Sequence, residues 1–172
     1  MNILLLNVIN KKKKEAMNKD LAGGMGTSSS FETSFFTKIL TWIKGKTIRI
    51  PIISFAFLQA ILKANGHNVR YVEDDFSEND FIREEFDLVL IYGSIVDFRN
   101  ELKACKKIKT KYPKTKIGFF GTFPTVRTEI FKAADFVVKG EAESFFLYEF
   151  QGNNNLSGII EVKKSLDLND LP

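Results

Sequence analysis

The sequence predicts a doubly wound α/β domain: a parallel sheet with helices on both faces. Three observations carry this prediction. Five short apolar runs bounded by turn residues recur along the chain, helical patterns lie between them, and a glycine follows three of the runs at their carboxyl ends. Strand and helix alternating at these lengths is the signature of βαβ crossovers, which require parallel pairing.

The first run, Ile3–Leu6, is continuously apolar, as in a strand buried on both faces. The other four are His67–Glu73, Phe86–Gly93, Thr115–Gly121 and Ala134–Gly140. Pro51 suits the first turn of a helix with Phe55, Leu58, Ile61 and Leu62 on one face, and Gly66 suits its carboxyl cap. Asp97 stands as N-cap of a second helix whose apolar stripe is Leu102, Cys105 and Ile108, with Pro113 ending it. Phe123–Ala133 and Glu141–Phe150 supply two shorter helices. This succession fits the five-stranded, flavodoxin-like order 2-1-3-4-5. Leu156–Val162 has the makings of a sixth, edge strand, and residues 163–172 read as a linker after a domain spanning 1–162.

One insertion, residues 8–50, breaks the regularity: about forty residues stand where a βα loop takes about two to six. Within it Phe35, Phe36, Ile39, Leu40 and Ile43 fall at helical spacing, which predicts an amphipathic helix over Glu32–Lys44. A loop of this length in a compact domain is usually functional.

Composition narrows the function classes. A chain of 172 residues holds one core, and its 17 phenylalanines are read as part of that core. The net charge of +4 comes largely from lysines at Lys11–Lys14 and Lys103–Lys116, without an arginine stripe among aromatics, so no nucleic-acid partner is expected. A lone Cys105 gives no disulfide framework and no metal cage. The opening segment lacks the parts of a signal peptide, and Ile48–Leu62 is broken by Arg49, Pro51 and Gln59, so a cytoplasmic protein without membrane contact is expected.

Ligands of open parallel sheets bind beyond the carboxyl ends of the strands. Those ends carry Asn7, then Gly93-Ser94-Ile95-Val96, then Gly121-Thr122-Phe123-Pro124, then Gly140-Glu141-Ala142-Glu143. Glycines there admit a ligand close to the backbone, and Ser94 and Thr122 add short hydroxyls. Each also has a plain reading: the glycines as tight turns, Ser94 as a turn residue, Glu141 and Glu143 as acids favoured at a helix start. His67 lies at the wrong end of its strand, and Cys105 sits on a buried stripe, so both read as structural. The glycines Gly23, Gly24 and Gly26 come too late for a dinucleotide fingerprint, no phosphate-loop motif is present, and no nucleophile triad or metal cluster is spelled out.

Lys19–Thr27 (KDLAGGMGT), Ile50–Asp74, Asp87–Val126, Ala134–Phe145 and Leu156–Pro172 together resemble the amino-terminal cobalamin-binding domain of cobalamin-dependent radical SAM enzymes. The resemblance spans nearly the whole chain. It implies a slot for the dimethylbenzimidazole arm at the ends of strands three and four, where Ser94-Ile95-Val96 resembles the family's Ser-x-Leu phrase and Gly121-Thr122 half resembles its glycine pair. It further implies a corrin near Gly140, Glu141 and Glu143, with Asp20, Leu21, Ala22, Gly23, Gly24, Gly26 and Thr27 forming a wall beside it.

Two departures follow from the same comparison. Ala22 stands where related cobalamin proteins carry a cobalt-ligating histidine, which implies a base-off cofactor without a histidine ligand and no metal ligand from side chains. One cysteine cannot supply the Cys-x-x-x-Cys-x-x-Cys of a radical SAM cluster, so S-adenosylmethionine and the 4Fe–4S cluster are expected only in a separate barrel domain, in cis or in trans. This chain alone is expected to have no catalytic residues, and its ending at Asp-Leu-Pro suggests an excised domain or truncated frame. Two rival expectations stand beside it: a flavin- or nucleotide-binding electron-transfer domain, and a ligand-free interaction domain docking through its phenylalanine-rich insertion.

Overall fold

Ile3 and Leu5 face one side of the first strand and Leu4 and Leu6 the other, and all four are fully buried in two separate clusters. That is why the run shows no alternation: it is a central strand covered on both faces. In the computed structural model, which describes residues 1–9, 35, 36, 39, 52–74, 84–150, 152 and 155–172, this strand is β1 (Asn2–Val8). It pairs in parallel with β2 (Asn68–Asp74) and β3 (Leu88–Tyr92). β3 pairs with β4 (Lys116–Phe120), β4 with β5 (Phe136–Lys139), and β5 with β6 (Gly158–Glu161), all parallel.

Among the described residues the sheet thus has six strands in the order β2-β1-β3-β4-β5-β6, an α/β, flavodoxin-like arrangement carrying the sixth strand at its edge. β2 forms the opposite edge, and among its residues Val69 alone is buried, which accounts for its polar composition.

Helices cover both faces. α1 (Ile53–Ala64) lays Phe55, Leu58, Ile61 and Leu62 against Ile3, Leu5 and Leu90. It ends at Asn65, followed by Gly66 at φ +78°, where the left-handed backbone favours glycine. α2 (Phe98–Lys111) packs Ala104, Cys105 and Ile108 on the other face with Leu4, Leu6 and Phe131. Burial pushes the Cys105 thiol up to about 11, with Asp135 adding to the effect, so it behaves as an inert core group.

The two shorter helices depart from the sequence expectation. α3 is only Thr122–Val126, and after Arg127 the chain makes a 3-10 turn over Thr128–Phe131. α4 (Ala142–Ser144) continues as a π turn over Phe145–Glu149, which seats Phe145 and Phe146 in the same core as α1.

Residues 163–171, expected as a linker, fold back along α4. Glu149 Oε1 accepts from the Lys163 and Lys164 amides at 2.8 and 3.3 Å, the Ser144 hydroxyl donates to the Lys164 carbonyl, and a 3-10 turn forms over Leu168–Asp170. Of the insertion helix, Phe35, Phe36 and Ile39 are helical, and Phe35 and Phe36 are largely exposed. The remainder of that helix and Pro51 lie outside the described residues. Among the described residues, no helix is long and apolar enough to cross a membrane.

Candidate ligand groove at the carboxyl edge of the sheet

β3 and β4 end on Tyr92 and Phe120, opposite each other in register, and period two points both rings to the α1 face. Their rings meet edge to face at 5.4 Å, and Phe55 of α1 packs on both. Beyond these rings opens a groove of about 550 Å³. Tyr92, Phe120, Gly121 and Gly140 come from the sheet's edge, Ser54 from the start of α1, and Thr122, Thr125 and Val126 from α3. Glu141, the N-cap of α4, closes it together with Ala142 and Glu143.

Two glycines of the lining hold backbone turns that other residues disfavour. Gly121 has φ +113° and a Cβ there would stand 2.8 Å from the Tyr92 ring; Gly140 has φ +118° and a Cβ would stand 3.1 Å from Val162. Both conformations disfavour other residues. Thr125 ties the two turns together: its hydroxyl donates to the Gly121 carbonyl at 2.9 Å and accepts from the Gly140 amide at 3.1 Å. Glu141 is held from outside, its Oε2 accepting from the Leu166 amide at 3.2 Å.

The expected site residues separate into three groups. Gly121, Thr122, Gly140, Glu141 and Glu143 line the groove together. Gly93, Ser94, Ile95, Val96, Phe123 and Pro124 do not. The missing side chain of Gly93 is used by Pro124, whose Cγ would lie 2.3 Å from a Cβ there, and Phe123 packs against Phe98 and Phe131 on the α2 side. Ile95 is exposed. Asn7 is buried at the end of β1, and Asp20, Leu21, Ala22, Gly23, Gly24, Gly26 and Thr27 lie outside the described residues.

Ser94 is turned inward. It is 2% exposed, its amide and hydroxyl donate to the two oxygens of Glu101 at 2.9 and 2.7 Å, and its hydroxyl oxygen accepts from the Asp97 amide at 3.2 Å. Asp97 occupies the N-cap position of α2 but makes no side-chain cap bond; the buried carboxylate of Glu101 organises this turn instead. Glu101→Leu is expected to leave both Ser94 donors bare and lower stability by about 1–3 kcal/mol, read from denaturant unfolding, whereas an unchanged midpoint would show that the turn holds without Glu101.

Sequence reasoning did not single out Ser54, Tyr92, Phe120, Thr125 or Val126 as lining residues. Tyr92 and Phe120 carried a usable signal, being aromatic at the last positions of two buried runs. Among the described residues, no group of three or more His, Cys, Asp or Glu side chains is arranged to hold a metal ion.

Fold and groove together define an open, doubly wound α/β domain with a small-molecule-sized cleft where its strands end. No family model, curated protein or solved structure matches the chain.

Proposed function

We propose that this chain is a cobalamin-binding domain of the kind found in radical SAM methyltransferases and related enzymes, holding the cofactor base-off without a histidine ligand. The observation that carries the reading is the groove over Tyr92, Phe120, Gly121 and Gly140, in a chain whose motifs resemble that family. Its volume falls in the ~300–1,000 Å³ range of small-molecule sites. Glycine backbone between a helix start and aromatic rings suits an extended arm with a flat heterocyclic end.

The proposed seat of the nucleotide arm is therefore this groove, between the sheet and α1 and α4, and not the Ser94–Val96 turn. Val126, 75% exposed, offers apolar surface for the benzimidazole at the mouth of the groove, whose floor is the buried Tyr92 and Phe120 rings. Gly121 and Gly140 let the arm approach the main chain, and Thr122, Glu141 and Glu143 offer hydrogen-bonding groups at the rim to amides of the ligand. Cobalamin held there would supply a cobalt-carried methyl or alkyl group to a radical SAM barrel, with S-adenosylmethionine and the iron–sulfur cluster belonging to that barrel.

Titration of the full chain with hydroxocobalamin, followed by visible absorbance, tests the reading. A saturable change to a base-off spectrum is expected. No change up to near-millimolar ligand overturns it.

A further inference from the structure

The carboxyl end of β1 carries a polar cluster outside the groove lining. Asn7 is 7% exposed, and its Nδ2 donates to the Tyr71 hydroxyl at 3.4 Å and to Glu73 Oε1 at 3.2 Å. Tyr71 donates to the same Glu73 oxygen at 2.6 Å. Burial, and then this bond to Glu73, hold the Tyr71 hydroxyl well above its ordinary pKa, so it remains a donor. These two partners fix how the Asn7 amide is turned, because the opposite orientation aims an amide oxygen at a carboxylate. Oδ1 is left buried and without a hydrogen-bond partner, the one buried side-chain atom in that condition among the described residues. Native structures rarely leave a buried acceptor bare, and each instance needs a reason.

Its place in the fold supplies one. Asn7 sits opposite Glu73, and Leu5 opposite Tyr71, in the β1–β2 register. Leu5 belongs to the same core face as Tyr92 and Phe120, and the Phe55 ring touches Tyr71, Tyr92 and Phe120 at 5.1, 6.1 and 5.4 Å. Cluster and groove therefore share one face of the sheet, with Phe55 between them. β1 is also where the strand order reverses, with β2 on one side and β3 on the other, the position at which ligands of such sheets reach the strand ends.

We infer that Asn7 Oδ1 is a ligand subsite, accepting a hydrogen bond from a primary carboxamide N–H of the molecule bound at this edge, while Tyr71 and Glu73 hold the Asn7 amide in position. A neutral acceptor suits a neutral amide donor; a cation is drawn instead to the Glu73 carboxylate. The inference rests on the proposed function, in which the corrin rim carries such amides.

The test compares wild type and Asn7→Leu in the full chain, by hydroxocobalamin titration and by thermal unfolding without ligand. Leucine fills the space and removes the bare acceptor, so the unliganded melting temperature is expected to stay within a few degrees while affinity falls about tenfold, the loss of one buried hydrogen bond. Asn7→Ala, which keeps the strand but not the side chain, is expected to show the same loss of affinity. Saturable binding by wild type with unchanged affinity in both variants overturns this inference and leaves the cobalamin reading standing. A large fall in melting temperature, with affinity unchanged in the Asn7→Ala protein that still folds, assigns Asn7 a structural role and also overturns it. No binding by wild type overturns both.

Discussion

Ser54→Trp is expected to abolish measurable cobalamin binding while leaving the domain folded. Ser54 is the second residue of α1 and half-buried at the groove wall. Its backbone is helical and accepts tryptophan at low cost, so an indole there occupies the groove without straining the chain. The same substitution at Gly121 is a poorer probe, because its φ of +113° and the Tyr92 ring 2.8 Å from a Cβ confound blockage with misfolding. A loss of at least about a hundredfold, or roughly 2.7 kcal/mol, is expected in the hydroxocobalamin titration, with the far-ultraviolet circular dichroism unchanged. Affinity within a factor of about three of wild type would mean that the ligand's arm lies elsewhere.

The second large effect is on stability. Gly118 sits mid-strand in β4, paired with Leu90 and Phe136, and the Phe136 ring lies directly over it. A Cβ at this position would stand 2.1 Å from Phe136 Cζ and 2.4 Å from Cε2. Phe136 is 1% exposed and enclosed in the core that holds Phe120, Val138 and Phe146, so the ring has nowhere to go. Gly118→Ala is therefore expected to cost up to about 3 kcal/mol, a fall in Tm of roughly 6–12 °C. The sign is the informative part, since replacing glycine by alanine within a strand otherwise stabilises by about 0.5–1 kcal/mol. Adding Phe136→Leu to the alanine variant should restore part of the loss, as expected for two residues in direct contact. An alanine variant as stable as wild type would refute the stacked arrangement.

The two glycines illustrate what pattern reading sees and misses. Gly121, at the end of an apolar run, announces a turn from sequence alone. Gly118 lies inside the run Thr115–Gly121 and looks like a weak point in a strand; only the ring of Phe136, on the neighbouring strand, explains it. Ser94 makes the same point for the site. Its position at a strand end is plain in the sequence, but the direction of its hydroxyl is set by Glu101 seven residues on, a buried acid that the helix pattern presents as an ordinary first-turn carboxylate.

The helix ends divide similarly. Gly66 after Lys63 marks the close of α1, because a left-handed residue is needed there whatever the tertiary context. The stretch Phe123–Ala133 has helical composition, yet the chain spends it on α3 and a separate 3-10 turn, which seat Pro124 against Gly93 and Phe131 against Phe119. Packing on the sheet outweighed local preference over so short a segment.

What the amino-acid sequence determined unaided was the succession of buried strands and amphipathic helices, and so the parallel sheet and the edge at which a ligand can lie. Apolar periodicity and turn chemistry are local properties, and a chain carries them in its order of residues. Which strand-end residues meet across a groove, which turn inward, and which buried oxygen is left without a donor were decided only in three dimensions. Those outcomes depend on side chains far apart in sequence competing for the same space and the same hydrogen bonds, and no spacing along the chain records who wins.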